Sequence, residues 1–486
     1  MPLQDPVGRL AEMDLAAKIR QLIVPALQAD MLDALPDRIS WGGYIVVPMT
    51  VAELAPLVQR ARSRADIPLL IGADVEMGAG QSLTGATVLP TAMAIAATGN
   101  PDNAYAVGVH TAQECRAMGI NWAFAPVADV NSQPLNPIIN VRAYGDQPEP
   151  VAAYVQAFVR GCQDAGVMAT AKHFPGHGGT HRDSHIELPL VTADRELLQR
   201  RELVPFRAAI AADVGSVMTA HLGVPAYDDP RVPATFSRPI MTNLLRRELG
   251  FGGLIVTDAL IMGGVTAAMD GRTAAVQAVL AGCDVLLAPG DPEATAAALE
   301  DAVKTGLLPL SRIDESVIRI LQAKARFVTP DAPADWPDLL ESGSTLAHQL
   351  ADAAVTVLWD RGGMVPLGPN IPVTTLTLAD HSGASRYWTA LLQEAGCRSI
   401  FTVDPSGDAA GLANELATIT GPVLLTICAV AAPWQGLTGW APQFLEPLRA
   451  LARRVPLGLV LLGTPYLADA LPEATLAICT YAYGAE

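Results

Sequence analysis

Four of the chain's eight histidines fall in one stretch, AKHFPGHGGTHRDSH (residues 171 to 185), where His173, His177, His181 and His185 are each four apart. Clustered imidazoles serve two chemistries, coordination of a divalent metal and proton transfer near neutral pH. On a helix this spacing would stack all four rings on one face. The residues between them forbid it. Pro175 has no backbone donor and a fixed φ, and Gly176, Gly178 and Gly179 would each cost about 1 kcal/mol against Ala inside a helix. The stretch is predicted to be a loop, so the spacing carries no geometric meaning. The metal chemistry also lacks its other ligands. No His-x-His occurs in the chain and the loop offers no second carboxylate to complete a set, so no metal ion and no cofactor are expected.

The loop follows VMATAKHF (167–174), an apolar run that reads as a strand, so its side chains gather at a strand end. Seven more such runs occur: QLIVPAL (21–27), GGYIVV (42–47), PLLIGAD (68–74), NWAFAPV (121–127), SVMTAHL (216–222), GLIVTDAL (253–260) and DVLLAPG (284–290). Continuous apolar runs suit parallel strands buried on both faces, and eight of them predict an N-terminal (β/α)8 TIM-type barrel. Amphipathic segments between runs support the alternation. NAYAVGVHTAQECRAMG and PVAAYVQAFVRGCQDAG each close on a glycine suited to a helix C-terminus. In such a barrel the site lies at the C-terminal strand ends. Those ends carry Asp74, Lys172, His173, His221 and Asp258, and Arg142 lies in the loop after the fourth run. Each has a plain structural alternative: Asp258 could cap a helix, Lys172 could pair with an acid, and His221 could be a satisfied core histidine. Their convergence on one rim points to function.

After the barrel, VTPDAPADWPDLLESGST reads as a surface linker rich in Pro and Asp. The expected organisation is a catalytic barrel over 1–328, a linker over 329–341 and a smaller C-terminal α/β domain over 342–486. Five further runs, TTLTLAD (374–380), SIFTVD (399–404), PVLLTICAV (422–430), LGLVLLG (457–463) and TLAICTYAYG (475–484), predict an open, mostly parallel sheet with helices on both faces.

Composition excludes several classes of partner. Thirty-two basic against 49 acidic residues give a net charge of −17, which repels nucleic acid and anionic membranes. No apolar run approaches the length of about 18 residues that a spanning helix needs. The six cysteines are scattered without a CxxC pair, and the N-terminus shows no uninterrupted apolar export core. A cytoplasmic protein with reduced thiols is expected.

KHFPGHGGTHRDSH, followed about seventy residues later by TDAL, resembles the NagZ-like β-N-acetylglucosaminidase branch of glycoside hydrolase family 3. ADVEMG, FAPVADVN, NVRAYG and VMTAHL are similar to further segments of that branch, and the likeness spans residues 10 to 330. STLAHQLADAAVTVLWDRGGMVPL is similar, more weakly, to the start of the second domain in longer members, which are expected to continue into a further helix beyond TYAYGAE.

The resemblance implies a retaining exo-acting enzyme that releases terminal N-acetylglucosamine from cell-wall or chitin-type glycans. Its substrate would be a small oligosaccharide or aryl β-glycoside. Asp258 would be the nucleophile that forms a glycosyl-enzyme ester, and Asp183 with His185 would supply acid and then base catalysis from a mobile loop. Asp74, Arg142, Lys172 and His173 would surround the sugar hydroxyls, and we count His221 with them. His177 would shape the loop, and His181 falls in the variable part of the pattern. The chemistry is coherent: a retaining glycosidase needs a carboxylate below the anomeric carbon and a proton donor beside the leaving oxygen. Histidine can donate because its pKa of about 6.5 is near working pH, and a partnered Asp orients the ring and stabilises the imidazolium. Two arginines of the pattern E-G-G-R-V-Q-R are missing, since residues 76–82 read EMGAGQS, which weakens the case for recognition of a muropeptide or of the acetamido sugar itself. Alternatives are a phosphorylase of the same glycosides, because a neutral imidazole repels phosphate less than a carboxylate would, and a family 3 β-glycosidase of other sugar preference. A metal-dependent barrel hydrolase has the histidine cluster as its only support.

Overall fold

The structure, a computed structural model, describes residues 3–33, 41–266, 269–329, 335–365, 373–378, 384–395, 397, 399–403, 407–432, 436–438 and 442–481. Eight short parallel strands form the first unit: β1 (Ile23–Val24), β2 (Gly43–Ile45), β3 (Leu70–Ala73), β4 (Trp122–Ala123), β5 (Met168–Phe174), β6 (Ser216–Thr219), β7 (Leu254–Val256) and β8 (Leu286–Leu287). Strands β2 to β7 pair in chain order. β8 pairs with β1, and the bridges Ala26↔Ile45 and Val256↔Val285 join β1 to β2 and β7 to β8, which closes the ring. Each strand lies within one of the eight apolar runs. Every residue of these strands is buried except Ile45, which is half-buried, as a barrel packed inside and covered by helices outside requires.

The two amphipathic segments are helices, Asp102–Ala117 and Pro148–Asp164. Gly119 and Gly166 follow them at φ +81° and +89°, the left-handed turn that ends a helix most easily at glycine.

The N-terminal end of the barrel is held by charge. Asp284, fully buried at the start of β8, accepts from Arg312 Nη2 and Arg319 Nη1 at 3.1 Å, from Ser316 Oγ at 2.9 Å and from the Ile255 amide at 3.1 Å. It also pairs with Arg246. Burial alone would raise its pKa, and the three guanidiniums outweigh that and hold it below the usual carboxylate range.

Residues 336–341 of the expected linker are not a linker but the start of a helix, Trp336–Ala354, and residues 330–334 lie outside the described ones. Asp335 caps this helix and Pro337 sits in its first turn, where a missing amide costs nothing. Asp335 and Pro337, which look like linker composition, are therefore a helix start. The helix lies on the barrel so closely that a Cβ on Gly343 would be 2.3 Å from Thr87 Oγ1 and 2.4 Å from His110 Nε2.

The second sheet contains β9 (Thr356–Asp360), β10 (Thr374–Leu378), β11 (Ser399–Val403), β12 (Val423–Ala432), β13 (Gly436–Thr438), β14 (Leu457–Gly463) and β15 (Leu476–Cys479). Its order is β9-β15-β14-β12-β10-β11, parallel except for β9, and β13 folds back antiparallel on the end of β12. All five expected strands are present, although 379–380, 404 and 482–484 of those runs lie outside the described residues. The two antiparallel additions were not read from sequence. β9 is an edge strand with Val357 46% exposed, so it carries less of the burial signal that marks the central strands. Among the described residues no helix is long and apolar enough to cross a membrane.

Asp284→Asn would leave three arginines around a neutral group. By the usual cost of breaking a buried ion pair, a loss of about 3–5 kcal/mol of unfolding free energy is expected in a denaturant titration. A change below 1 kcal/mol, on the scale of an exposed pair, would mean that the cluster is dispensable.

Candidate active site

Three strand ends bring opposite charges together. Lys172, on β5, places Nζ 2.8 Å from Asp74 Oδ1 and 2.6 Å from Glu76 Oε1, both just beyond β3. Arg142, in the turn Asn140–Arg142 after β4, grips Glu76 with two bonds of 2.9 and 2.8 Å and donates to the Ile138 carbonyl at 2.7 Å. Burial disfavours the charges of Glu76, Arg142 and Lys172, and mutual attraction overrides it. Glu76 is consequently held well below the usual carboxylate range by Arg142 and Lys172, and both cations are held more firmly protonated. Half of the Asp74 side chain stays open to solvent, so this carboxylate remains free to meet a ligand.

Asp129, fully buried in the loop after β4, organises the next part. One of its oxygens lies 2.7 Å from His173 Nδ1, and the other accepts from the His177 amide at 2.6 Å. The His173 amide bonds to the same carboxylate. His173 therefore turns its Nε2 edge toward Arg142, 3.4 Å away. His177 is buried with Nδ1 on Thr180 Oγ1 at 2.7 Å and Nε2 on Ser184 Oγ at 3.0 Å, so it pins the loop from within. Burial pushes its pKa down to about 4, against which Asp129 pulls upward.

On either side of Ser184 lie Asp183 and His185: Asp183 Oδ1 accepts from the His185 amide at 2.8 Å and lies 2.7 Å from His185 Nδ1. This leaves Nε2 as the outer nitrogen of His185. Asp258, two residues after β7, accepts its neighbour's amide at 2.8 Å. Burial would raise its pKa, but the imidazoles of His173 and His221, the Ala259 amide and His185 lower it further, so it is an anion at neutral pH. His181 is exposed, with its Nε2 3.1 Å from Gln133 Nε2.

His221 departs from its expected place among the sugar contacts. It has no exposed surface, and its ring is used internally, Nδ1 2.9 Å from Thr235 Oγ1 and Nε2 3.2 Å from the Ala259 carbonyl. It braces the chain beside Asp258 instead. The four histidines of the loop each meet a different side-chain partner, and among the described residues no group of three or more His, Cys, Asp or Glu is placed to hold a metal ion. The arrangement offers an anionic carboxylate, an imidazole backed by a second carboxylate, and a charged rim suited to hydroxyl groups.

A family model described as the glycosyl hydrolase family 3 N terminal domain matches residues 43–323, more than half of the chain. The chain belongs to glycosyl hydrolase family 3. It is 31% identical to a β-N-acetylglucosaminidase/β-glucosidase of Cellulomonas fimi, over 97% of this chain and 90% of that protein. Among solved structures, a family 3 β-N-acetylglucosaminidase from Paenibacillus sp. str. FPU-7 superposes with a TM-score of 0.83 at 33% identity, over 97% of this chain and 94% of that one. The β-glucoside phosphorylase BglX bound to 2FGlc superposes at 0.87 with 26% identity, over 99% and 91%. As a family 3 member the protein is a glycosidase with a glycoside substrate.

Where this family 3 chain lacks two arginines, Ala79 is buried and Ser82 Oγ donates to the Asp74 carbonyl at 2.7 Å, so the segment braces the β3 end without adding charge. Sequence reasoning passed over Glu76, Asp129 and Glu202 as site residues. Glu76 and Asp129 sit in the quoted segments ADVEMG and FAPVADVN, and an acid near a strand end was a usable signal for both. Glu202 had none, since ELVPF reads as ordinary helix. It ends a π-helical turn, Leu198–Glu202, of the kind frequent near functional sites. It is fully buried beneath the loop, where a Cβ on Gly176 would be 3.1 Å from its Oε2, and Arg201 holds its other oxygen.

Burial raises the Glu202 pKa from an ordinary 4.5 to about 7; Arg201 opposes the rise and Asp129 adds to it. Between those values the folded chain keeps a proton that the unfolded chain has lost, so this group makes stability fall as pH rises. Relative to the parent, Glu202→Gln should gain stability from pH 4.5 to 7, by on the order of 3 kcal/mol, and then level off. Parallel stability curves for the two proteins would show that Glu202 is not protonated in the fold.

Proposed function

We propose that the protein is a retaining exo-β-N-acetylglucosaminidase that releases terminal N-acetylglucosamine from cell-wall or chitin-type glycans. The observation that carries this reading is the Asp183–His185 pair, joined at 2.7 Å, on a loop docked beside the half-buried anion Asp258. The relative and the structural neighbour named as β-N-acetylglucosaminidases support the sugar.

The proposed reaction has two steps. The Asp258 carboxylate attacks the anomeric carbon while His185 gives its Nε2 proton to the departing glycosidic oxygen, leaving a glycosyl ester and a neutral imidazole. His185 then takes a proton from water, whose oxygen displaces Asp258 from the same carbon, so the configuration is retained. Asp183 fixes Nδ1 of the ring as the protonated nitrogen and opposes the charge of the imidazolium. Asp74, Lys172, Arg142 and His173 bind the sugar hydroxyls, with Glu76 and Asp129 holding those groups in place. Acid chemistry on an acetal is complete with these residues. The catalytic unit would end near residue 328. The six cysteines are free and five of them buried, which supports a cytoplasmic setting.

A panel of aryl β-glycosides, assayed with and without phosphate, tests the reading. Fastest hydrolysis is expected for the N-acetylglucosaminide, with no dependence on phosphate. A requirement for phosphate would make the protein a phosphorylase, and preference for a glucoside would reassign the sugar. His185→Ala should slow turnover by about 10²–10⁴-fold on oligosaccharides, whose leaving group needs a proton. The first step with nitrophenyl glycosides should be far less affected. Equal losses on both would remove His185 from proton transfer.

A further inference from the structure

The chain beyond Asp258 reads Ala259-Leu260-Ile261-Met262-Gly263-Gly264. The last two residues meet the histidine loop. The Gly263 amide donates to the His185 carbonyl at 3.0 Å, and the Gly264 amide donates to the Ser184 carbonyl at 3.1 Å. From the opposite side His177 Nε2 meets Ser184 Oγ at 3.0 Å. The loop is thus gripped at two adjacent residues, one of which is the imidazole of the dyad.

Neither glycine has a positive φ, so alanine could adopt either backbone conformation without strain. What alanine could not do is fit. A Cβ on Gly263 would lie 2.6 Å from the His185 carbonyl oxygen and 2.7 Å from that of Ile186. One on Gly264 would lie 2.9 Å from the Ser184 carbonyl oxygen and 3.3 Å from that of Glu187. These are backbone atoms of the loop, so no side-chain rotation relieves them. Either the loop or the glycine turn must give way, and in both cases the docking between them opens.

We propose that Gly263 and Gly264 are positioning residues: they form a bare seat, continuous in sequence with Asp258, that docks the Asp183–His185 loop for proton transfer. The inference rests on the acid/base reading of that pair. It makes the spacing of acid and nucleophile a property of one segment, since the segment that runs on from Asp258 to Gly264 also receives the loop. A side chain at the seat would move His185 away from the glycosidic oxygen while leaving Asp258 and the sugar contacts in place.

The test compares the parent with Gly263→Ala, Gly264→Ala, His185→Ala and a control, Gly271→Ala, whose added Cβ would meet nothing within 4 Å. Gly263→Ala should lower kcat on chitobiose by about 10²-fold, the cost of displacing a reacting group by roughly 1 Å. Its burst of nitrophenolate from the nitrophenyl glycoside should stay within about threefold of the parent, because that leaving group scarcely needs a proton. Azide attacks the glycosyl ester without general base, so it should accelerate turnover of both Gly263→Ala and His185→Ala and yield the β-glycosyl azide. Gly264→Ala should repeat the pattern more weakly, and it carries the test if Gly263→Ala does not fold. Equal losses on both substrates, or no loss, in glycine variants whose His185→Ala counterpart responds to azide would overturn the seat alone. Absence of azide rescue in His185→Ala would overturn the acid/base reading and the seat with it.

Discussion

Asp129 has no contact with solvent, yet burial does not neutralise it, because His173 and His177 surround the carboxylate with two amides and a ring nitrogen. A buried anion of this kind is tolerable only while every donor stays in place. It therefore fixes the end of β5, the direction of the His173 ring and the first turn of the histidine loop together. The rest of the loop inherits that start. Asn136 bonds to the His177 and Gly178 carbonyls at 3.0 and 3.2 Å, His177 bonds to Ser184, and the pair of glycines beyond Asp258 receives the far side. A glycine-rich loop that could take many conformations is held in one by polar contacts at its base, its middle and its tip.

The same economy of charge explains the rim. Two cations and two carboxylates from three strand ends cancel one another, so polar side chains at the barrel mouth stay ionised without the cost of isolated burial. Such a site is preorganised for neutral, hydroxyl-rich ligands: hydrogen-bonding groups are fixed while the net charge stays small.

The barrel was legible because parallel strands buried on both faces leave uninterrupted apolar runs, and all eight runs became strands. Asp74, Lys172 and Asp258 stood out as charges at or near the ends of those runs. Misreadings came where one composition serves two structures. Asp335 and Pro337 suit a linker and a helix start equally, and His221 at a strand end suits a ligand contact and an internal brace equally. Glu202 was invisible, since its significance lies in a loop twenty-six residues away along the chain that packs onto it. Contacts of that kind leave no periodicity to read. The second sheet also reaches the barrel: Thr91 Oγ1 donates to the Tyr481 carbonyl at 3.0 Å.

The assignment of Asp258 as nucleophile is the claim on which the proposed chemistry turns, and trapping tests it most directly. A 5-fluoro N-acetylglucosaminyl fluoride keeps the acetamido group and slows departure from the ester more than its formation, so the glycosyl-enzyme can be digested and its labelled peptide sequenced by mass spectrometry. The label is expected on Asp258, at one sugar per chain. A label on Asp74 or Glu76, or inactivation without a covalent adduct, would contradict the assignment and with it the division of roles between strand end and loop.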